Sequence, residues 1–147
     1  MKHARQKIRE AVEGQLSGIQ SAIIYRSRAY KVIDMPAICV QIDSESSEDE
    51  AGEMVNPRRY SRVANMRIQV IIEAIDNYDD LADDYAAQVE TLIDLDRTFG
   101  GTAVDAYLYQ TDTTFDGSGE KPFVKCDISY RVWYRTRAND PESNING

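Results

Sequence analysis

Two long stretches of alternation limit what this 147-residue chain can fold into. Over residues 60–75, Ala64, Met66, Ile68, Val70, Ile72 and Ala74 alternate with Val63, Asn65, Arg67, Gln69, Ile71 and Glu73. Over residues 122–136, Val124, Cys126, Ile128, Tyr130, Val132 and Tyr134 alternate with Lys125, Asp127, Ser129, Arg131 and Arg135. Side chains of a strand point alternately to its two faces, so each run is one strand with an apolar face and a largely polar one. Such strands suit an antiparallel sheet covered on one side. The Asp116-Gly117-Ser118-Gly119 turn joins the second run to a strand predicted over 102–115, making a hairpin.

The cover must come from helices, and two are predicted. Ile8, Val12, Leu16 and Ile19 place one apolar face on a helix over 3–18, whose basic start opposes the helix dipole and leaves docking to stabilise it. Leu81, Tyr85, Val89 and Leu92, widened by Ala82, Ala86 and Ile93, mark a helix over 77–97 that ends at Gly100-Gly101. Two further strands are predicted, over 22–30 and over Ala37 to Asp43, the latter with Ile38, Val40 and Ile42 inward. The order is α-β-β-β-α-β-β. That is an α+β fold, a mainly antiparallel or mixed five-stranded sheet with two helices on one face. Residues 1–137 read as a single domain. Ser44 to Asn56 hold five acidic and no basic residues, so 44–59 is expected to be a mobile acidic loop. Residues 138–147 form a polar tail expected to fray.

Composition removes several functions. No run nears the ~18 apolar residues of a membrane span, and the charged start lacks the apolar stretch of a signal peptide. A net charge of −8 disfavours general nucleic-acid binding. The one histidine, His3, sits at an end expected to fray, so no Ser-His-acid or Cys-His arrangement is in view and no catalytic residue is assigned. Cys39 and Cys126 read as small buried hydrophobes, with a disulfide between them left open, and no metal or cofactor is expected. A basic and aromatic set (Arg26, Arg28, Arg131 and Arg135 with Tyr25, Tyr30, Tyr130, Trp133 and Tyr134) fits an open sheet face covered by arginine stems better than a nucleic-acid surface.

Charge is segregated along the chain. Residues 73–96 carry nine acidic and no basic side chains, whereas four arginines fall within 58–67. Opposite signs on different flanks suit head-to-tail packing, in which acid meets base and fixes orientation. The residues expected at such a contact are Arg58, Arg59 and Arg62 on the basic side. On the acidic side they are Glu48, Asp49 and Glu50 in the loop and Asp79, Asp80, Asp83 and Asp84 at the start of the second helix.

Three segments carry a family resemblance: MKHARQKIREAV at 1–12, YRSRAYKVIDMPAICVQIDSESSE at 25–48 and KCDISYRVWYRTRANDPE at 125–142. With the run Met35-Pro36-Ala37-Ile38-Cys39-Val40 at its centre, the sequence resembles the tail terminator proteins of long-tailed bacteriophages, the minor tail protein U type. The resemblance implies a non-enzymatic virion protein that forms a ring, expected to be a hexamer, on the head-proximal end of the tail tube. Such a ring ends tube polymerisation and offers a surface for head joining. The implied partners are further copies of the chain, the tail tube protein and a head-completion or connector protein. DNA would pass without specific binding, and the chain would occupy the host cytoplasm only during assembly. Another head–tail connector or a tail tube subunit is the competing reading.

Overall fold

The computed structural model describes residues 2–25, 35–49, 59–74, 76–117 and 122–144. Its elements are α1 (Ala4–Leu16), β1 (Ile23–Tyr25), β2 (Ala37–Asp49), β3 (Arg59–Glu73), α2 (Tyr78–Leu95), β4 (Asp105–Asp116) and β5 (Phe123–Arg137). The five strands form one sheet in the order β1-β2-β3-β5-β4. β1 runs parallel to β2 and every other pair is antiparallel. The expected α+β fold class and element order are therefore present. The predicted 22–30 strand is described only at Ile23–Tyr25, and its remainder, with Arg26, Arg28 and Tyr30, lies outside the described residues.

The alternation read from the sequence sets the layers. Ala64, Met66, Ile68, Val70 and Ile72 of β3, and Val124 to Tyr134 at every second position of β5, are buried in one core with Ile8, Val12 and Leu16 of α1 and Tyr85, Val89 and Ile93 of α2. Each such aliphatic side chain contributes roughly 1.5–3 kcal/mol on burial. Both helices thus lie on one face of the sheet, and among the described residues no helix covers the other, open face. At the β1 end that open face carries a small cluster of its own, Ala37 and Ile71 with Tyr25, Met35 and Phe123. Cys39 pairs in register with Gln69 on the open face and Cys126 faces the helices, so both cysteines are free and buried.

Three expectations change. First, the acidic segment is strand as far as Asp49: Ser44 to Asp49 pair with Asn65 to Tyr60, and residues 50–58 lie outside the described residues. Ladder hydrogen bonds to a long partner offset the cost of ordering a chain that has little to bury. Second, residues 138–144 are docked. Ala4 N–H donates to Pro141 O at 2.8 Å, Lys7 Nζ to Glu142 O at 2.6 Å, and Asn144 Nδ2 to Thr102 O at 2.8 Å. The tail thereby supplies acceptors that the start of α1 lacks within itself. Third, α2 stops at Leu95, before the glycines. The Asp96 carboxylate accepts from Thr98 N–H, Thr98 Oγ1–H and Gly100 N–H, which turns the chain and holds that carboxyl below the usual range. Phe99, Gly100 and Gly101 then follow with positive φ.

Candidate interaction surfaces

The ten residues expected at a contact separate on the structure. Asp79, Asp80, Asp83 and Asp84 are exposed on α2, where first-turn acids also favour the positive end of the helix dipole. Arg59 is exposed at the start of β3. Glu48 and Asp49 close β2, opposite Ser61 and Tyr60. Glu50 and Arg58 lie outside the described residues. Arg62 points away from solvent, its side chain 12% exposed, and pairs within the chain with Glu45 at 3.2 Å.

Glu45, expected in a mobile loop, lies in β2 and faces the core. Before Asp43 the even-numbered residues of β2 face the helices. Ile42 pairs with Met66 but Ser44 pairs with Asn65, so Asp43 is an extra residue, a bulge. Beyond it the odd-numbered residues face inward, and Glu45 lies opposite Ala64 on the core side. There its carboxylate, 9% exposed, accepts from Arg5 Nη1 at 2.9 Å and from Arg62 Nη1. It also accepts a short hydrogen bond from Tyr134 Oη. The Arg62 guanidinium lies over the rings of Tyr60 and Tyr134, at 5.6 and 6.0 Å. His3 borders this cluster and is ordered: its Nδ1 accepts from Arg5 N–H at 3.0 Å, capping α1. Partial burial, and then Arg5 and Arg62, push its pKa below the usual histidine value. A buried ion pair of this kind ties α1 to β2, β3 and β5; it is a structural lock with no reactive group held open to solvent.

The open sheet face carries a separate set. Register places Arg59 opposite Arg137, Trp133 opposite Val63, and Arg131 between Asn65 and Tyr107. Arg131 lies over the Tyr109 ring at 4.6 Å and Arg135 over Trp133 at 4.9 Å. Tyr107, Tyr109 and Trp133 are 52%, 41% and 37% exposed. Tyr130 and Tyr134, grouped with these by composition, point into the core instead. Like charges directly opposite each other destabilise a sheet, so the Arg59–Arg137 pairing is no gain to the fold.

On the helix side, a cleft of about 220 Å³ opens between the second half of α2 and the β4–β5 hairpin, lined by Glu90, Asp94, Arg97, Ala106, Tyr107, Leu108 and Tyr130. Arg97 leans to Asp105, 3.6 Å away, nearer than to Asp94 at 4.0 Å. Burial, Glu90 and Asp94 together push the Tyr130 phenol well above its usual range. A shallower groove of about 290 Å³ between Gly18 and α2 is mostly apolar. Among the described residues no three His, Cys, Asp or Glu side chains gather where they could hold a metal ion, and no helix is long and apolar enough to cross a membrane.

No family model matches the chain, and no curated protein matches it. Among solved structures, a chain described as "Virion of native gene transfer agent (GTA) particle" is similar, with 13% identity and a TM-score of 0.40 over 91% of this chain and 92% of that one.

Proposed function

We propose that this chain is a structural protein of a tailed-phage particle. Its role is a ring that caps the head-proximal end of the tail tube, stops tube polymerisation and presents a surface to the head. The observation that carries the reading is the separation of charge across the sheet. Acidic residues cover α2 on one side (Asp79, Asp80, Asp83 and Asp84), and arginines stand on the open face (Arg59, Arg131 and Arg137). The two sets point in opposite directions, which suits repeated contacts of one hand and a closed ring. The sequence resemblance to tail terminators supports the same role, and the tied-down Glu45 cluster suits a part whose work is shape. In this reading the chain is no enzyme and needs no cofactor. Its partners are further copies, expected to number six, with the tube protein below and a head-completion protein above.

Two measurements test it. Native mass measurement at rising concentration is expected to show one closed ring and nothing larger. Added to polymerising tail tube protein, the chain is expected to shorten the tubes in proportion to its amount. Open-ended filaments of the chain alone would instead make it a tube subunit. A monomer at every concentration, leaving tube length unchanged, would overturn the role.

A further inference from the structure

The cleft between α2 and β4 has the chemistry of a receptor for a guanidinium. Glu90 and Asp94 are exposed carboxylates on its helix wall. Arg97, the cation on the same wall, is drawn toward Asp105. Tyr130 lies across from them, only 4% exposed, and its hydroxyl forms no hydrogen bond with a described residue. The ring is buried and its hydroxyl opens on the cleft, where an incoming guanidinium can donate to it. The apolar part of the wall, Ala106 and Leu108, suits the methylene stem of an arginine.

The matching cations stand on the far side of the same molecule. Arg131 and Arg137 are exposed on the open sheet face, and neither forms an ion pair with a described residue. Arg137 faces Arg59 across the ladder, a repulsion that an incoming carboxylate would relieve. Among the described residues, Asp94 is met only by the long 4.0 Å contact of Arg97, which lies nearer to Asp105, and Arg131 and Arg137, on the opposite face of the sheet, cannot reach their own cleft. A two-fold contact that paired each patch with itself would set like charge on like. Only a heterologous contact joins acid to base.

We infer that the acidic cleft formed by Glu90, Asp94 and Tyr130 receives arginines from the open sheet face of a second copy, Arg131 and Arg137, and that this contact joins the subunits head to tail. The inference rests on the ring reading above and names the contact that closes the ring.

Charge exchange tests it. One variant is Glu90→Lys with Asp94→Lys; the other is Arg131→Glu with Arg137→Glu. All four side chains are exposed, and circular dichroism with a thermal melt checks that each variant folds. Milder forms, Glu90→Gln with Asp94→Asn and Arg131→Gln with Arg137→Gln, serve if a reversal does not fold. Analytical ultracentrifugation of the wild type first reports whether rings form at all; a wild-type monomer overturns the ring reading and the contact together. Where the wild type rings, each reversal alone is expected to raise the association midpoint at least tenfold. A one-to-one mixture of the two reversals is expected to regain rings of alternating subunits, since every contact again sets acid on base. Either reversal assembling as the wild type does, or a mixture that stays dissociated, overturns the contact while the ring stands. A sheet-face reversal that still forms rings but is no longer retained on single-stranded DNA would make that face a nucleic-acid surface and sink the inference.

Discussion

Glu45 shows how one residue can hold three layers together. Its carboxylate meets Arg5 from α1, Arg62 from β3 and Tyr134 from β5. Removing one member of a buried ion pair strands the other, at a cost of about 3 kcal/mol. Glu45→Ala is therefore expected to lower the urea unfolding free energy by about that amount. The double variant Glu45→Leu/Arg62→Met, which removes both charges, is expected to regain most of it; a double variant as unstable as the single one would refute the stranded-charge account. Tyr134 adds a pH signature. Burial, and then the hydrogen bond to Glu45, raise its phenol above the ordinary value. The folded state thus holds this proton more tightly than the unfolded one. The resulting stability is fully present below the ordinary pKa of about 10 and is lost progressively above it, as pH rises toward the raised value of the folded state. A thermal midpoint flat from about pH 7 to 9 and falling above about 10 is expected, with a shallower fall in Tyr134→Phe. Equal slopes in the two proteins would assign the alkaline loss to other groups.

Among the elements, β2 is where periodicity and structure part. Alternation places Ile38, Val40 and Ile42 correctly, and it would put Glu45 with Cys39 and Gln41 on the open face. The bulge at Asp43 reverses that assignment, and nothing in the local composition marks it: Asp43 opens a run of acids and serines that looks like loop. Bulges are settled by what the neighbouring strand offers, here Ala64 and Arg62 of β3. Because Ile42 and Glu45 already face the core on either side of the extra residue, deleting Asp43 is expected to change the urea midpoint little. Deleting Gln41 would turn Ile42 outward and bring Asp43 opposite Met66, and a loss of several kcal/mol is expected for a core side chain exposed and a carboxylate buried. Comparable effects of the two deletions would show that the strand does not keep this register. The end of α2 follows a similar logic. Gly100 and Gly101 look like the stop, yet the Asp96 carboxylate ends the helix earlier by capturing three donors of the next turn.

The whole molecule is a sheet with the acidic helix α2 on one side and the exposed Arg59, Arg131 and Arg137 on the other. Contacts made by exposed charges weaken as salt shortens the screening length from ~10 Å near 0.1 M to ~3 Å near 1 M. If subunits join acid to base, the association midpoint is expected to rise steeply with NaCl across that range. An apolar contact would hold or strengthen instead, so a flat or falling midpoint would count against charge as the orienting force. The blocks of charge were legible in the chain, as nine acids over 73–96 and four arginines within 58–67. Which of them face outward was not. Arg62 sits in the arginine block but is turned into the fold by its strand's inward phase, whereas Arg131 and Arg137, in a different strand, stand on the same open face as Arg59.

By itself the sequence determined the element order, the one-sided apolar faces of β3 and β5, and the amphipathic helices that cover them. These are consequences of local spacing, 2 for a strand and 3.6 for a helix, that no distant residue can alter. Only the tertiary structure decided the phase of β2 beyond Asp43, the docking of α1 to the tail, and the cleft shared by α2 and β4. Each of those depends on a partner many residues away, and a hydrogen bond or ion pair across such a distance leaves no periodic trace in the chain that makes it.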